Sequence, residues 1–172
     1  MEIQPSHIQD LPMILQLYEH ASALQASKGM VVWPRIDTAL VEQEILNSKQ
    51  WKLLIEGQPA CVWVITEDDP LIWGPRNNEP SLYLHRIATA PAFRGQHLVR
   101  HVIEHALALG TKRGKRFIRL DTVGTNPGLI KHYTTHGFTF LGEQVLASTE
   151  GLPGHYNDGP ALLFEMRVSN VE

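Results

Sequence analysis

The sequence predicts an α/β (α+β) protein of about seven strands and about four helices, and three observations predict it. The hydrophobic period switches repeatedly between two and about 3.6 residues along the chain. The stretch Ser81–Leu109 reads as strand, tight turn and helix in immediate succession. The 172-residue length suits one domain spanning residues 1–172, large enough to bury about 70% of its unfolded surface.

Glu2 to Ile8 is a short strand. Asp10 is placed to cap the next helix, with Pro12 in its first turn. Ile14, Leu15, Leu17, Tyr18, Ala21 and Leu24 give that helix one apolar face to about Ala26. Lys28–Arg35 is a loop with an apolar centre. A second helix follows, capped by Asp37 or Thr38, with Leu40, Val41, Ile45 and Leu46 as its apolar face. Lys52–Ile55 and Ala60–Thr66, joined by a Glu-Gly-Gln turn, form an antiparallel hairpin. Glu67–Pro80 is a polar connection with Leu71, Ile72 and Trp73 at its middle. After the Ser81 unit come a strand at Arg116–Thr122, a helix at about Pro127–His136, a strand at Phe138–Gln144, a long loop and a last strand at Ala161–Val168.

Within the central unit, Ser81–Thr89 carries β-branched and aromatic residues without Gly or Pro. Pro91 ends it, since proline lacks a ladder N–H. Gly95 supplies the positive φ of a sharp turn. Leu98, Val99, Val102, Ile103, Ala106 and Leu107 then recur at helical spacing until Gly110 stops the run. The first turn of a helix has unpartnered N–H groups and partial positive charge. Residues Arg94 to Val99 can therefore cradle a phosphate or pyrophosphate by backbone, with Arg94 adding charge. The alternative is an ordinary strand–loop–helix connection.

The run LHRIATAPAFRGQHL resembles the acyl-CoA-binding core of the Gcn5-related N-acetyltransferases, the GNAT superfamily. That family writes strand, Arg or Gln, two residues, Gly, one residue, Gly or Ala, then helix. Arg94 matches the opening Arg and Gly95 a common glycine beside it, whereas His97 and Val99 stand where the family has small residues. The predicted element order also matches the GNAT fold along nearly the whole chain. The resemblance implies a mixed sheet whose fourth and fifth strands run parallel and splay apart, admitting the pantetheine arm beside Ile87, Ala88 and Thr89. It implies acetyl-CoA as co-substrate, held by those residues and by Arg94, Gly95, Gln96, His97, Leu98 and Val99.

A second run, NPGLIKHYTTHGF, resembles a family motif of Asn, a helix bearing Tyr, then Gly-Phe. Read from the residues alone, Tyr133 packs beside Leu129. The resemblance makes it a general acid aimed at the CoA sulfur, with Asn126 contacting the cofactor or holding the loop. His85 is the candidate base, similar to a histidine that some arylalkylamine-type members carry on this strand. A structural, hydrogen-bonded histidine is the other reading. Strand alternation puts Tyr83, His85, Ile87 and Thr89 on one face and Arg86 on the other, paired or reaching solvent. By the same resemblance, acceptor specificity falls to two loops, with Trp33, Tyr83, His85 and Tyr156 as substrate-binding residues. An aromatic wall plus a carboxylate suits a cationic amine. Ordinary surface loops with one packed Trp are the alternative.

The implied activity is transfer of an acetyl group to a primary amine of a small molecule or peptide by direct attack in a ternary complex. A non-catalytic acyl-CoA sensor or partner-binding module on the same fold is the alternative. A net charge of −3 argues against nucleic acid as a partner. Lys112, Arg113, Lys115 and Arg116 read as a solvated helix end. The single Cys61, in an apolar run, reads as a buried inert thiol and fits a cytoplasmic location. No segment reaches membrane-span length, and no signal-peptide core opens the chain, so no membrane association is expected. His97, His101 and His105 recur at i, i+4 spacing, as do His132 and His136. The first row lies opposite the apolar stripe, and no acidic or cysteine cluster completes a site, so no metal is expected. Edge strands leave a homodimer open.

Overall fold

The period changes resolve, in a computed structural model that describes residues 1–169, into twelve strands and helices. In order these are β1 (Glu2–Pro5), α1 (Leu11–Ser27), α2 (Thr38–Leu46), β2 (Gln50–Ile55), β3 (Gln58–Thr66), α3 (Pro70–Trp73), β4 (Ser81–Thr89), α4 (Val99–Lys112), β5 (Phe117–Val123), α5 (Pro127–Thr135), β6 (Thr139–Gln144) and β7 (Ala161–Arg167). The seven strands hydrogen-bond in the order β1-β2-β3-β4-β5-β7-β6. The sheet is mixed, because β4 and β5 run parallel while β5 and β7 run antiparallel. The chain divides into two compact units, Met1–Ile65 with His85–Val102, and Thr66–Leu84 with Ile103 onward.

In the first unit, β2 and β3 form the expected hairpin. Glu56 and Gly57 both take positive φ, 50° and 76°, which matches the right-handed twist of the flanking strands. β1 stops at Pro5 because Ile8–Asp10 wind into a 3-10 turn. The Asp10 side chain does not cap α1. It accepts from the His7 N–H at 2.7 Å and pairs with Lys52 at 2.8 Å. Asp37 does cap α2, accepting from the Ala39 N–H at 3.1 Å. The buried face of α2 is Val41, Glu44 and Ile45, and the expected Leu40 and Leu46 are exposed. Ile14, Leu17, Tyr18, Val41, Ile45, Val62, Ala88 and Ala90 share one core.

The second unit contains the start of β4, which pairs with β5 at Ser81↔Phe117, Leu82↔Ile118 and Tyr83↔Arg119. On its other side β5 pairs with β7 along its whole length, Phe117↔Arg167 to Val123↔Ala161. Helix α4 does not stop at Gly110. A Cβ there would sit 3.1 Å from Ile118 Cδ1 and Val168 Cγ2, so the glycine serves close packing against the sheet. The connection after β3 contains the single helical turn α3, which carries Ile72 and Trp73 into an apolar cluster with Tyr83, Ala161 and Leu163. Arg119 is fully buried on β5. It donates to Glu165 at 2.9 Å, Glu79 at 2.7 Å and the Arg76 carbonyl at 2.6 Å, and lies over the Trp73 ring. The basic run after α4 is partly spoken for, since Arg113 and Lys115 both donate to Glu67, at 2.8 and 2.9 Å. Those contacts draw the Glu67 carboxyl below its usual range, the Lys115 hydrogen bond foremost.

Candidate functional site

In the first unit the loop from Pro91 to Leu98 delivers the chain into α4. Gly95 takes φ +80° and has open space where a Cβ would be. His97 also takes positive φ, +55°. A glycine adopts that shape freely, and a histidine adopts it at about 1 kcal/mol of strain. The N–H groups of Gly95, Gln96, His97, Leu98 and Val99 have no acceptor among the described residues. Orphaned donors converging at a helix start fit an anion such as a pyrophosphate. The Arg94 guanidinium, expected to add charge there, instead donates to the His20 carbonyl of α1 at 3.2 Å.

Upstream, the second half of β4 carries His85, Ile87, Ala88 and Thr89. The expected single face for Tyr83, His85, Ile87 and Thr89 is interrupted, because Arg86 takes φ +46° inside the strand. Ala88 is buried in the core, and the Thr89 hydroxyl donates to the Cys61 sulfur at 3.7 Å. Burial pushes the Cys61 thiol up to about 12, which makes it inert as a nucleophile at neutral pH. Burial, with Arg86 and Lys49 adding to it, pushes His85 down to about 4. The imidazole is therefore neutral at pH 7, a hydrogen-bonding group with little appetite for a proton.

The Trp33 ring stands edge-on to Tyr18 at 6.2 Å, and the Trp33 backbone N–H donates to the Gln25 side-chain oxygen at 2.8 Å. It lines a cleft of about 320 Å3 with Tyr18, Glu19, Ser22, Arg35 and Ile36. His97, in the loop before α4, is exposed, whereas His101 and His105 of α4 are half-buried rather than solvated.

In the second unit, Asn126 caps α5, accepting from the Gly128 N–H at 2.8 Å. Gly137 takes φ +95° just past the helix, and the Phe138 N–H returns to the Tyr133 carbonyl at 3.1 Å. This fixes the Tyr133 ring, half-buried, against Phe164 and Phe138 at 5.2 and 6.0 Å. Tyr83 is fully buried beside Trp73, its hydroxyl accepting from Arg119 at 3.3 Å. Tyr156, in a short 3-10 turn of the late loop, donates its hydroxyl to Asp121 at 2.7 Å.

That contact exposes a feature that sequence reasoning missed. Asp121 on β5 and Asp69 before α3 bring carboxylate oxygens within 4.8 Å of each other. One oxygen of Asp69 is buried with no hydrogen-bond partner among the described residues. Burial, then the charges of Asp121 and Asp68, push Asp69 up to about 7. Burial pushes Asp121 up to about 6, against the hydrogen bond from Tyr156. The signal was present in IRLDTV, where a carboxylate alternates onto the face of a buried arginine in an otherwise apolar strand.

An acetyltransferase (GNAT) family model matches residues 31–138, which include β4, the α4 start and α5. This chain belongs to the GNAT acetyltransferase family. It is 36% identical over 122 residues to the uncharacterized N-acetyltransferase YesJ of Bacillus subtilis (strain 168), covering 56% of this chain and 68% of that one. A GNAT-family acetyltransferase from Listeria monocytogenes superposes with a TM-score of 0.77 at 23% identity, over 96% of this chain and 94% of that one. The Salmonella typhimurium protein yncA, solved with its cofactor acetyl-CoA, superposes at 0.69 and 14% identity, over 100% and 96%. Both structures share the fold of this GNAT acetyltransferase. No described helix is long and apolar enough to cross a membrane.

Proposed function

We propose that this chain is an acetyl-CoA-dependent N-acetyltransferase that moves an acetyl group to a primary amine of a small molecule or peptide by direct attack in a ternary complex. The observation that carries the proposal is the row of N–H donors from Gly95 to Val99, without protein acceptors among the described residues, inside the stretch that matches the family model. Those groups would hold the pyrophosphate of acetyl-CoA, and the backbone of Ile87, Ala88 and Thr89 its pantetheine arm. Bound acetyl-CoA supplies a thioester, whose carbonyl is open to attack by a neutral amine. Tyr133 gives a proton to the departing sulfur. An amine at neutral pH arrives as an ammonium ion and must first lose a proton. The Asp69–Asp121 pair is better matched to receive it than His85, which leaves His85 to accept a hydrogen bond from the acceptor. Trp33 and Tyr156 would bind the acceptor, and Tyr83, packed beside Trp73, would support the second unit from within.

An amine panel assayed by release of free CoA thiol tests the reading. With the best amine, Tyr133→Phe should lower turnover roughly 10²-fold while acetyl-CoA affinity stays within about 3-fold. Unchanged turnover removes Tyr133 from its role. The rate should climb with pH through about 6 to 7, as the Asp69–Asp121 pair loses its protons, and Asp121→Asn should flatten that limb. A limb centred near 4 would return the base role to His85. Tight acetyl-CoA binding with no thiol release from any amine supports the sensor reading, which the bulky His97 and Val99 motivate.

A further inference from the structure

We infer that Arg86, clamped by Glu44 and Tyr18, is a positioning residue that holds Ile87–Thr89 in the shape that receives the pantetheine arm. This role rests on the proposed acetyl-CoA reading.

Backbone shape singles the residue out. Ser48, Glu56, Arg86 and His97 are the described non-glycine residues with positive φ, and Arg86 is the one that lies inside a strand and away from its ends. Strand residues ordinarily sit near φ −120° to −140°. A left-handed residue there interrupts the pleat and re-aims the residues after it, as bulges do beside active sites. An L-residue resists that conformation, so its surroundings must hold it.

Three elements do so. The Arg86 guanidinium donates to both carboxylate oxygens of Glu44 on α2. It lies 5.4 Å over the ring of Tyr18 on α1. The Tyr18 hydroxyl in turn donates to Gln50 on β2 at 3.1 Å. Glu44 and Tyr18 are both buried, 9% and 3% exposed. A buried ion pair is a poor source of stability, because apolar residues of similar volume commonly do as well or better. What it supplies here is direction. One guanidinium nitrogen, Nη2, donates to both carboxylate oxygens, and with the Tyr18 ring beside it the arginine side chain is held in one direction, which supports the φ of its own residue.

The consequence falls on the next residues. Ala88 is anchored in the core, and the Ala90 N–H is bonded to the Ala60 carbonyl at 2.8 Å. Ile87–Thr89 is thus held between the clamp and that bond. On the nucleotide side, Arg94 ties the α4 loop to α1 through the His20 carbonyl, a contact that does not involve Glu44. The two ends of the coenzyme therefore meet two segments held by different contacts.

That difference in contacts gives the test. Two probes are titrated calorimetrically into the full chain: acetyl-CoA, and 3′-phospho-ADP, which lacks the pantetheine arm. Glu44→Gln should weaken acetyl-CoA roughly 10-fold and leave 3′-phospho-ADP within about 3-fold. Arg86→Gly should retain more acetyl-CoA affinity than Arg86→Ala, since glycine adopts φ +46° without steric resistance. Should Glu44→Gln fail to fold, the Arg86→Gly and Arg86→Ala pair carries the measurement. Equal loss of both probes, or no loss of either, overturns the inference, as does equal acetyl-CoA affinity of the Gly and Ala variants. A wild-type protein that binds neither probe rejects the acetyl-CoA reading itself.

Discussion

Helices α4 and α5 both start from a tight loop, yet their first turns are finished differently. At α5 the chain satisfies its own donors. Pro127 removes one N–H, Asn126 accepts from Gly128, and the Asn126 carbonyl takes the Leu129 N–H at 3.1 Å. At α4 five successive N–H groups, Gly95 to Val99, have no backbone acceptor among the described residues. The loop there also bends through two positive-φ residues, Gly95 and His97. A helix start that is capped by its own sequence is finished architecture. One that holds a strained loop and leaves its donors open suits the proposed anion site.

Three substitutions break or sharpen this contrast. The largest effect belongs to His97→Glu. A carboxylate at an open helix start competes directly with an anion, so acetyl-CoA should bind roughly 30-fold more weakly, about 2 kcal/mol. The same charge suits the helix dipole, so the melting temperature should hold or rise. Weaker binding that merely tracked a lower melting temperature would dissolve the contrast. Next comes Asn126→Ala, which should lower stability by about 1 kcal/mol by denaturant titration. Acetyl-CoA affinity should stay within about 3-fold; a larger binding loss would make Asn126 a cofactor contact. Smallest is His97→Gly. Relief of the left-handed strain is offset by the entropy of a glycine in the unfolded chain, so stability should change by less than about 0.5 kcal/mol. A loss above about 1 kcal/mol would show that the His97 side chain, not its backbone, holds the loop.

The contrast was half legible in the sequence. Gly95 and the apolar period from Leu98 place the α4 start, whereas the cap that Asn126 gives α5 is visible only in the structure. Local rules of spacing and turn chemistry also read the Glu56-Gly57 hairpin and the order of elements, because they act within a few residues. What escaped depends on partners far away in sequence. Leu40 and Leu46 look like core, but the α2 face that turns inward carries Glu44, which only makes sense once Arg86 of β4 is beside it. Asp10 looks like a cap until Lys52 of β2 claims its carboxylate. Arg86 itself breaks the two-residue period that placed His85 with Ile87, and no local signal marks a left-handed arginine in a strand. The Asp69–Asp121 pair joins residues far apart in the chain, one of them in a connection whose helical turn at Pro70–Trp73 the polar composition concealed.

The most direct measurement is an amide NMR titration of the full chain with acetyl-CoA. The N–H resonances of Gly95, Gln96, His97, Leu98 and Val99 should move downfield in step with binding, while that of Gly128, already bonded to Asn126, stays in place. Binding that moves Gly128 and leaves Gly95–Val99 untouched would contradict the proposed anion site.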